Sequence, residues 1–325
     1  MPAAGPGASR SGTRRACRGR TARVTAPPFD TAVALSPQVN ERPVEFSVDG
    51  QAVRGILTTV ADPQPVALLF VHGWGGVRGG PHNLLTHLAR AAGEAGCCSL
   101  RFDLRGRGES DGAAPDACLA SMAADTVAAA EHLKSDCGVC SMVIVGICSG
   151  GNIAIAVRER MPDVRGLFML SVYPFSDGDN FGRDVRRTAH FIKVYWDKLW
   201  RRQTWGKLVR GEIFFGSILR VLFGHYQRDQ RQASGDGTPA SPLESLRRHP
   251  VPVTIIYGAA DPDYQASFDY FAEFASKSGV DIGFHTIPGA NHNFYSEAWK
   301  QEITGELLEF VAAVSAQTQS SIDAP

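Results

Sequence analysis

The chain has 325 residues, 44% of them hydrophobic, enough for one large domain or two ordinary ones. Its 33 basic and 33 acidic residues cancel, so charge gives no argument for a nucleic-acid partner. No run of eighteen apolar residues occurs, which excludes a membrane-spanning helix. Seven cysteines without framework spacing favour a reducing compartment, here the cytoplasm, over a disulfide scaffold.

Residues 1–29 carry six arginines and no acid among Ala, Gly, Ser and Pro, and a disordered basic extension is expected over residues 1–35. From Pro43 the alternation of Val44 to Val48 and of Val53 to Val60 around Asp49-Gly50 predicts a β-hairpin. Val66 to Val71 is a continuous apolar run of the kind found in a central parallel strand, and it leads into the glycine-rich turn His72-Gly-Trp-Gly-Gly76. Pro81 opens a helix through Leu84, Leu85 and Leu88 that Gly96 closes. Cys97 to Phe102 is the next strand, followed by the loop from Asp103 to Gly112, and an alanine-rich helix passes through Leu119 and Leu133. Strand and helix then alternate through Val143, Gly166, Val253 and Ile282. A mostly parallel sheet with helices on both faces follows, divided into core segments 36–175 and 251–316. Fraying is expected from residue 317.

The rhythm breaks over 176–250, where an inserted helical cap is expected. This stretch holds Trp196, Trp200 and Trp205 as candidate substrate-binding residues, and twelve Lys or Arg against four acids between Arg183 and Arg231. Cys137-x-x-Cys140 lacks a second pair or nearby histidines, so no metal or other cofactor is expected.

The organising stretch is Val143 to Asn152, an apolar strand that turns through a nucleophile into a helix. Glycines two places before and after such an elbow admit the crowding of neighbouring elements. Gly146 and Gly150 place the nucleophile at Cys148; choosing Ser149 would put β-branched Ile147 at a crowded position. A thiol at a helix N-terminus is favoured as thiolate, and a nearby histidine would favour it further.

From Val44 to Val314 the chain resembles the α/β-hydrolase fold superfamily. The resemblance rests on His72-Gly73, Asp103-x-Arg105-Gly106-x-Gly108-x-Ser110, Gly146-x-Cys148-x-Gly150-Gly151, Gly258-x-x-Asp261 and Gly289-x-x-His292 in that order. It implies His292 as base and Asp261 as its orienter, with Asp263, Asp177 and Asp179 as rival acids. It also implies an oxyanion hole from the main-chain amides of Ser149 and Trp74. His72 and His285 are read as structural, and Asp103 and Arg105 as ties that hold their loop beneath the site. Dienelactone hydrolases and polyhydroxyalkanoate synthases share G-x-C-x-G-G, and some N-acyltransferases of the bile-acid type carry cysteine at the elbow. The long cap departs from the first group and the Asp103 to Ser110 loop from the second.

The expected activity is cleavage of an ester or thioester through an acylated Cys148, with hydrolysis as the default outcome. Transfer to an amine, alcohol or thiol is the alternative, and a non-catalytic binding scaffold is a third. The partner is a small acyl substrate, with coenzyme A or an acyl carrier protein as a carrier that a basic lid would suit. Oligomeric state is left open.

Overall fold

The computed structural model describes residues 31–174 and 242–322. Among these residues nine strands form one sheet: β1 (Val33–Ala34), β2 (Val39–Val48), β3 (Gln51–Val60), β4 (Val66–Val71), β5 (Ser99–Phe102), β6 (Ser141–Ile147), β7 (Val164–Leu170), β8 (Val253–Gly258) and β9 (Ile282–Ile287). Their spatial order is β1-β2-β3-β5-β4-β6-β7-β8-β9. The predicted hairpin is β2 with β3, and its Asp49-Gly50 turn has φ of 51° and 77°, the paired left-handed conformations that suit a two-residue connection. β3 pairs antiparallel with β5, and from β5 to β9 every pairing is parallel.

Among the described residues six α-helices accompany the sheet: α1 (Leu84–Glu94), α2 (Leu119–Cys137), α3 (Ser149–Ala156), α4 (Pro242–Arg248), α5 (Tyr264–Ser278) and α6 (Glu297–Ile322). The alternation of side chains along a strand explains why β4 is apolar throughout. Ala67, Leu69 and Val71 enter a core with residues of α2, α3, α4 and α5, whereas Val66, Leu68 and Phe70 enter a second core with α1 and α6. Helix ends follow local chemistry. Cys118 and Ser121 form a reciprocal cap at the start of α2, and Gly138 and Gly279 take left-handed φ after α2 and α5.

Three boundaries differ from those the sequence suggests. Val33–Ala34, expected inside the disordered extension, pairs with Glu41 and Asn40 of β2; residues 1–30 lie outside the described residues. Residues 242–248, expected at the end of the cap, form α4, whose Leu243 and Leu246 are one helical turn apart and buried in the first core. The terminal helix does not fray at residue 317. The apolar stripe of Ile303, Leu307, Val311 and Val314 continues to buried Thr318, whose hydroxyl donates to the Val314 carbonyl at 2.9 Å. The remainder of the expected cap, residues 175–241, lies outside the described residues.

The sheet's building direction reverses at β4. Its chain successor β5 lies on one side and β6 on the other, and Val71 pairs with Gly146 at the carboxyl ends. Such a switch point opens a crevice above the strand ends, where ligands of α/β sheets bind. A Cβ on Gly150 would come 2.2 Å from the Val71 carbonyl oxygen at this junction, whereas one on Gly138 would meet nothing within 4 Å. Gly150→Ala should therefore lower stability by about 1–3 kcal/mol through overpacking. Gly138→Ala should cost about 1 kcal/mol from its left-handed backbone alone. Urea unfolding midpoints distinguish the two, and equal midpoints would contradict the crowding at Gly150.

Candidate active site

β6 ends at Ile147, Cys148 takes φ 56° and ψ −125°, and α3 begins at Ser149. A non-glycine residue in that region is strained, and neighbouring backbone holds it there. The Cys148 amide donates to the Leu170 carbonyl at 2.8 Å, and the Gly151 amide donates to the Cys148 carbonyl at 3.1 Å. The two flanking glycines are tight. A Cβ on Gly146 would lie 2.6 Å from the Gly151 nitrogen, and one on Gly150 would strike Val71 as described. The apex of the turn is thus Cys148, while Ser149 is the first helical residue, whose amide has no intrahelical acceptor.

His292 lies in the loop after β9, near enough to Cys148 for the elbow sulfur to raise its pKa. On the other side of the ring, Nδ1 meets Asp261 Oδ2 at 2.6 Å. Asp261 is buried in the turn after β8, where its other oxygen accepts the Asp263 amide at 3.1 Å. Of the rival acids, Asp263 therefore contributes an amide to the Asp261 carboxylate; Asp177 and Asp179 lie outside the described residues. The two loops are stitched to each other. The Ala260 amide donates to the Ala290 carbonyl at 2.8 Å, and a Cβ on Gly258 would come 2.4 Å from that carbonyl oxygen.

Burial is the largest single influence on His292 and opposes its charge. The hydrogen bonds and negative charge of Asp261 and Cys148 together outweigh it and push the imidazole up to about 10. Burial likewise opposes charge on Asp261, but its hydrogen bond and ion pairing with His292 hold its carboxyl below the usual range. The hydrogen bond from the Asp263 amide adds to that effect. An imidazolium between a carboxylate and a sulfur can deliver a proton to a leaving group and later draw one from an attacking molecule.

Opposite the elbow, the turn after β4 is closed by the Gly76 amide donating to the Gly73 carbonyl at 2.9 Å. The Trp74 amide donates to the Ser149 side-chain oxygen at 2.5 Å, so this expected oxyanion donor already has an acceptor. His72 is fully buried. Its Nε2 accepts the Leu104 amide at 3.1 Å, which leaves Nδ1 to donate to the Gly73 carbonyl at 2.7 Å; burial depresses its pKa and favours this neutral form.

The loop after β5 supports that turn. Asp103, fully buried, accepts from the Arg78 amide at 2.6 Å, from the Arg78 guanidinium and from the Glu109 amide at 3.1 Å. Arg105 pairs with buried Asp125 at 2.5 Å and with Asp49 at 2.8 Å. Arg107 donates to the Trp74 carbonyl at 2.5 Å, with its guanidinium 5.5 Å from the Trp74 ring centre. Arg78 and Arg107 were not legible as site residues, because their partners are distant in sequence and belong to loops without periodicity. His285 lies outside the constellation and pairs with Glu302 at 2.7 Å and Glu306 at 3.4 Å on α6. Trp196, Trp200 and Trp205 fall outside the described residues. Among the described residues no three His, Cys, Asp or Glu side chains are grouped to hold a metal ion, and no helix is long and apolar enough to cross a membrane.

A family model described as the alpha/beta hydrolase family matches residues 68–304. No curated protein matches the sequence. Among solved structures, Est1E from Butyrivibrio proteoclasticus with bound ferulic acid is 18% identical, with a TM-score of 0.57 over 84% of this chain and 99% of its own. A Pyrococcus furiosus esterase is 15% identical, with a TM-score of 0.61 over 84% of this chain and 90% of its own. A proline iminopeptidase from Mycobacterium smegmatis is 17% identical, with a TM-score of 0.58 over 85% and 99%. At such identities the likeness is one of fold, while the family match spans more than half of the chain, from inside β4 into α6. The glycine-framed turn after β6, the loop acid after β8 and the loop histidine after β9 stand in the chain order of that fold, and the chain belongs to the alpha/beta hydrolase family.

Proposed function

We propose that the protein cleaves an ester or thioester through an acyl-thioenzyme at Cys148, with water as the default acceptor. The observation that supports this reading is the pairing of His292 with buried Asp261, together with a strained elbow at Cys148 whose sulfur raises the pKa of that imidazole. The Cys148 thiolate attacks the acyl carbon, forming the C–S bond and moving the carbonyl electron pair onto oxygen. Collapse breaks the bond to the leaving alkoxide or thiolate, which takes the His292 proton. Neutral His292 then draws a proton from water as it attacks the thioester, and the C–S bond breaks to release a carboxylic acid and restore the thiolate–imidazolium pair. Asp261 remains ionised throughout and fixes the ring.

Intact-mass analysis after incubation with activated acyl thioesters tests the nucleophile. An acyl adduct is expected on wild type and on Ser149→Ala, whose main-chain amide is unchanged, and its loss is expected for Cys148→Ala. An adduct that survives Cys148→Ala and disappears in Ser149→Ala would overturn the assignment. When amine, alcohol and thiol acceptors are offered to the trapped adduct, hydrolysis should be the faster fate; faster transfer would make the enzyme an acyltransferase.

The charge on His292 has a pH signature. A folded-state pKa raised from the ordinary 6.5 to about 10 means that the folded protein binds the proton more tightly than the unfolded chain does. The stability gained is complete below pH 6.5 and is lost as pH rises through about 10. The advantage of wild type over His292→Gln in urea unfolding should decline across that interval. Removing one raising partner with Asp261→Asn should move the imidazole titration, followed by NMR, to lower pH; an unchanged midpoint would contradict the pairing.

A further inference from the structure

We infer that the side-chain hydroxyl of Ser149 is itself an oxyanion donor, oriented by the Trp74 amide. This inference rests on the acyl-thioenzyme reading above. It begins from the Trp74 amide, which the turn presents toward the elbow and which donates to Ser149 Oγ at 2.5 Å. At that distance the amide proton is committed to the hydroxyl oxygen, so a substrate oxygen does not share it without displacing the serine.

A serine hydroxyl carries one proton and two acceptor positions. The Trp74 amide fills one acceptor position and leaves the proton to be given away. Among the described residues no acceptor takes it: Ser149 Oγ enters the hydrogen bonds only as the acceptor of Trp74. Its surroundings place it beside the reaction. The position that a Cβ on Gly73 would occupy lies 3.2 Å from Cys148 Cβ and 3.4 Å from Ser149 Oγ, so both side chains border the same niche, and only glycine keeps it open.

An oxygen bound to an acyl carbon on the Cys148 sulfur then meets two donors from one residue, the Ser149 amide at the first position of α3 and the Ser149 O–H. The Trp74 amide acts through the hydroxyl. By donating to Oγ it fixes the rotamer and polarises the O–H bond, as successive hydrogen bonds do. Trp74 is a positioning residue in this arrangement, and Ser149 is a catalytic one.

Steady-state kinetics on an activated ester, with wild type, Ser149→Ala and Ser149→Thr, test the assignment. Loss of one oxyanion donor typically costs about 100-fold to 1,000-fold in kcat. Ser149→Ala also frees the Trp74 amide as a partial substitute, so a kcat loss of about 10-fold to 100-fold is expected with KM little changed. Ser149→Thr retains a hydroxyl at the same branch point and should stay within about threefold of wild type. Urea midpoints equal to wild type keep the comparison free of folding effects. Turnover by Ser149→Ala at the wild-type rate or faster would overturn the inference, since the hydroxyl would then only occupy the Trp74 amide. Equal losses in the alanine and threonine variants would also overturn it, by assigning the effect to packing. The Cys148→Ala protein separates the two readings: an acyl adduct that persists without Cys148 defeats the acyl-thioenzyme reading itself. Loss of the adduct in that variant together with full activity in Ser149→Ala defeats only the assignment to the hydroxyl.

Discussion

The close approach of two pieces of backbone is the constraint on which the site depends. The end of β4 and the start of α3 meet with the Val71 carbonyl directly against Gly150, at a distance that no side chain can occupy. That contact brings the turn after β4 into register with the turn after β6, so that Trp74 and Ser149 touch although they are 75 residues apart in sequence. The parallel pairing of Val71 with Gly146 sets the level at which both turns leave the sheet. Neither turn has the apolar content to hold itself in place. Their geometry comes from the central strands β4 and β6, buried on both faces, and the loop of Asp103, Arg105 and Arg107 clamps the arrangement from below.

The electrostatics follow the same logic of enforced proximity. Desolvation alone would discharge His292, and the imidazole keeps its proton because it has partners on both sides. Asp261 is more deeply buried and has its own support in the Asp263 amide. Paired buried charges of this kind are costly to separate, because each partner left alone is an uncompensated ion. The site therefore stores its proton inventory in a rigid arrangement, anchored where the turns after β8 and β9 share backbone hydrogen bonds.

Much of this was legible in the sequence because it depends on periodicity and on glycine. The unbroken apolar runs of β4 and β6 announce strands buried on both faces, Asp49-Gly50 announces the hairpin turn, and Gly146 and Gly150 locate the bend at Cys148 rather than at Ser149. Asp261 could be ranked above Asp263 only by chain order, since both are turn acids; in the folded protein one carboxylate meets His292 and the other residue's amide lies behind it. The contacts of Arg78 and Arg107 left no trace, because an arginine in a loop reads as a solvated side chain until its partners are known. Helix α4 was hidden by the Gly- and Ser-rich stretch before it, and the occupancy of the Trp74 amide depends on a single side-chain rotamer that no pattern encodes.

His72 and His292, 220 residues apart in sequence, respond to acid in opposite senses. His72 is locked neutral between the Gly73 carbonyl and the Leu104 amide, so protonating it breaks an internal bond; its share of stability is present above its ordinary 6.5 and drains away as the medium becomes more acidic. His292 behaves as the mirror image, secure on the acid side and weakening toward alkali. Their two contributions overlap near the ordinary imidazole value of 6.5 and fall away on opposite sides of it, so the turn after β4 and the loop after β9 loosen at opposite ends of the pH scale.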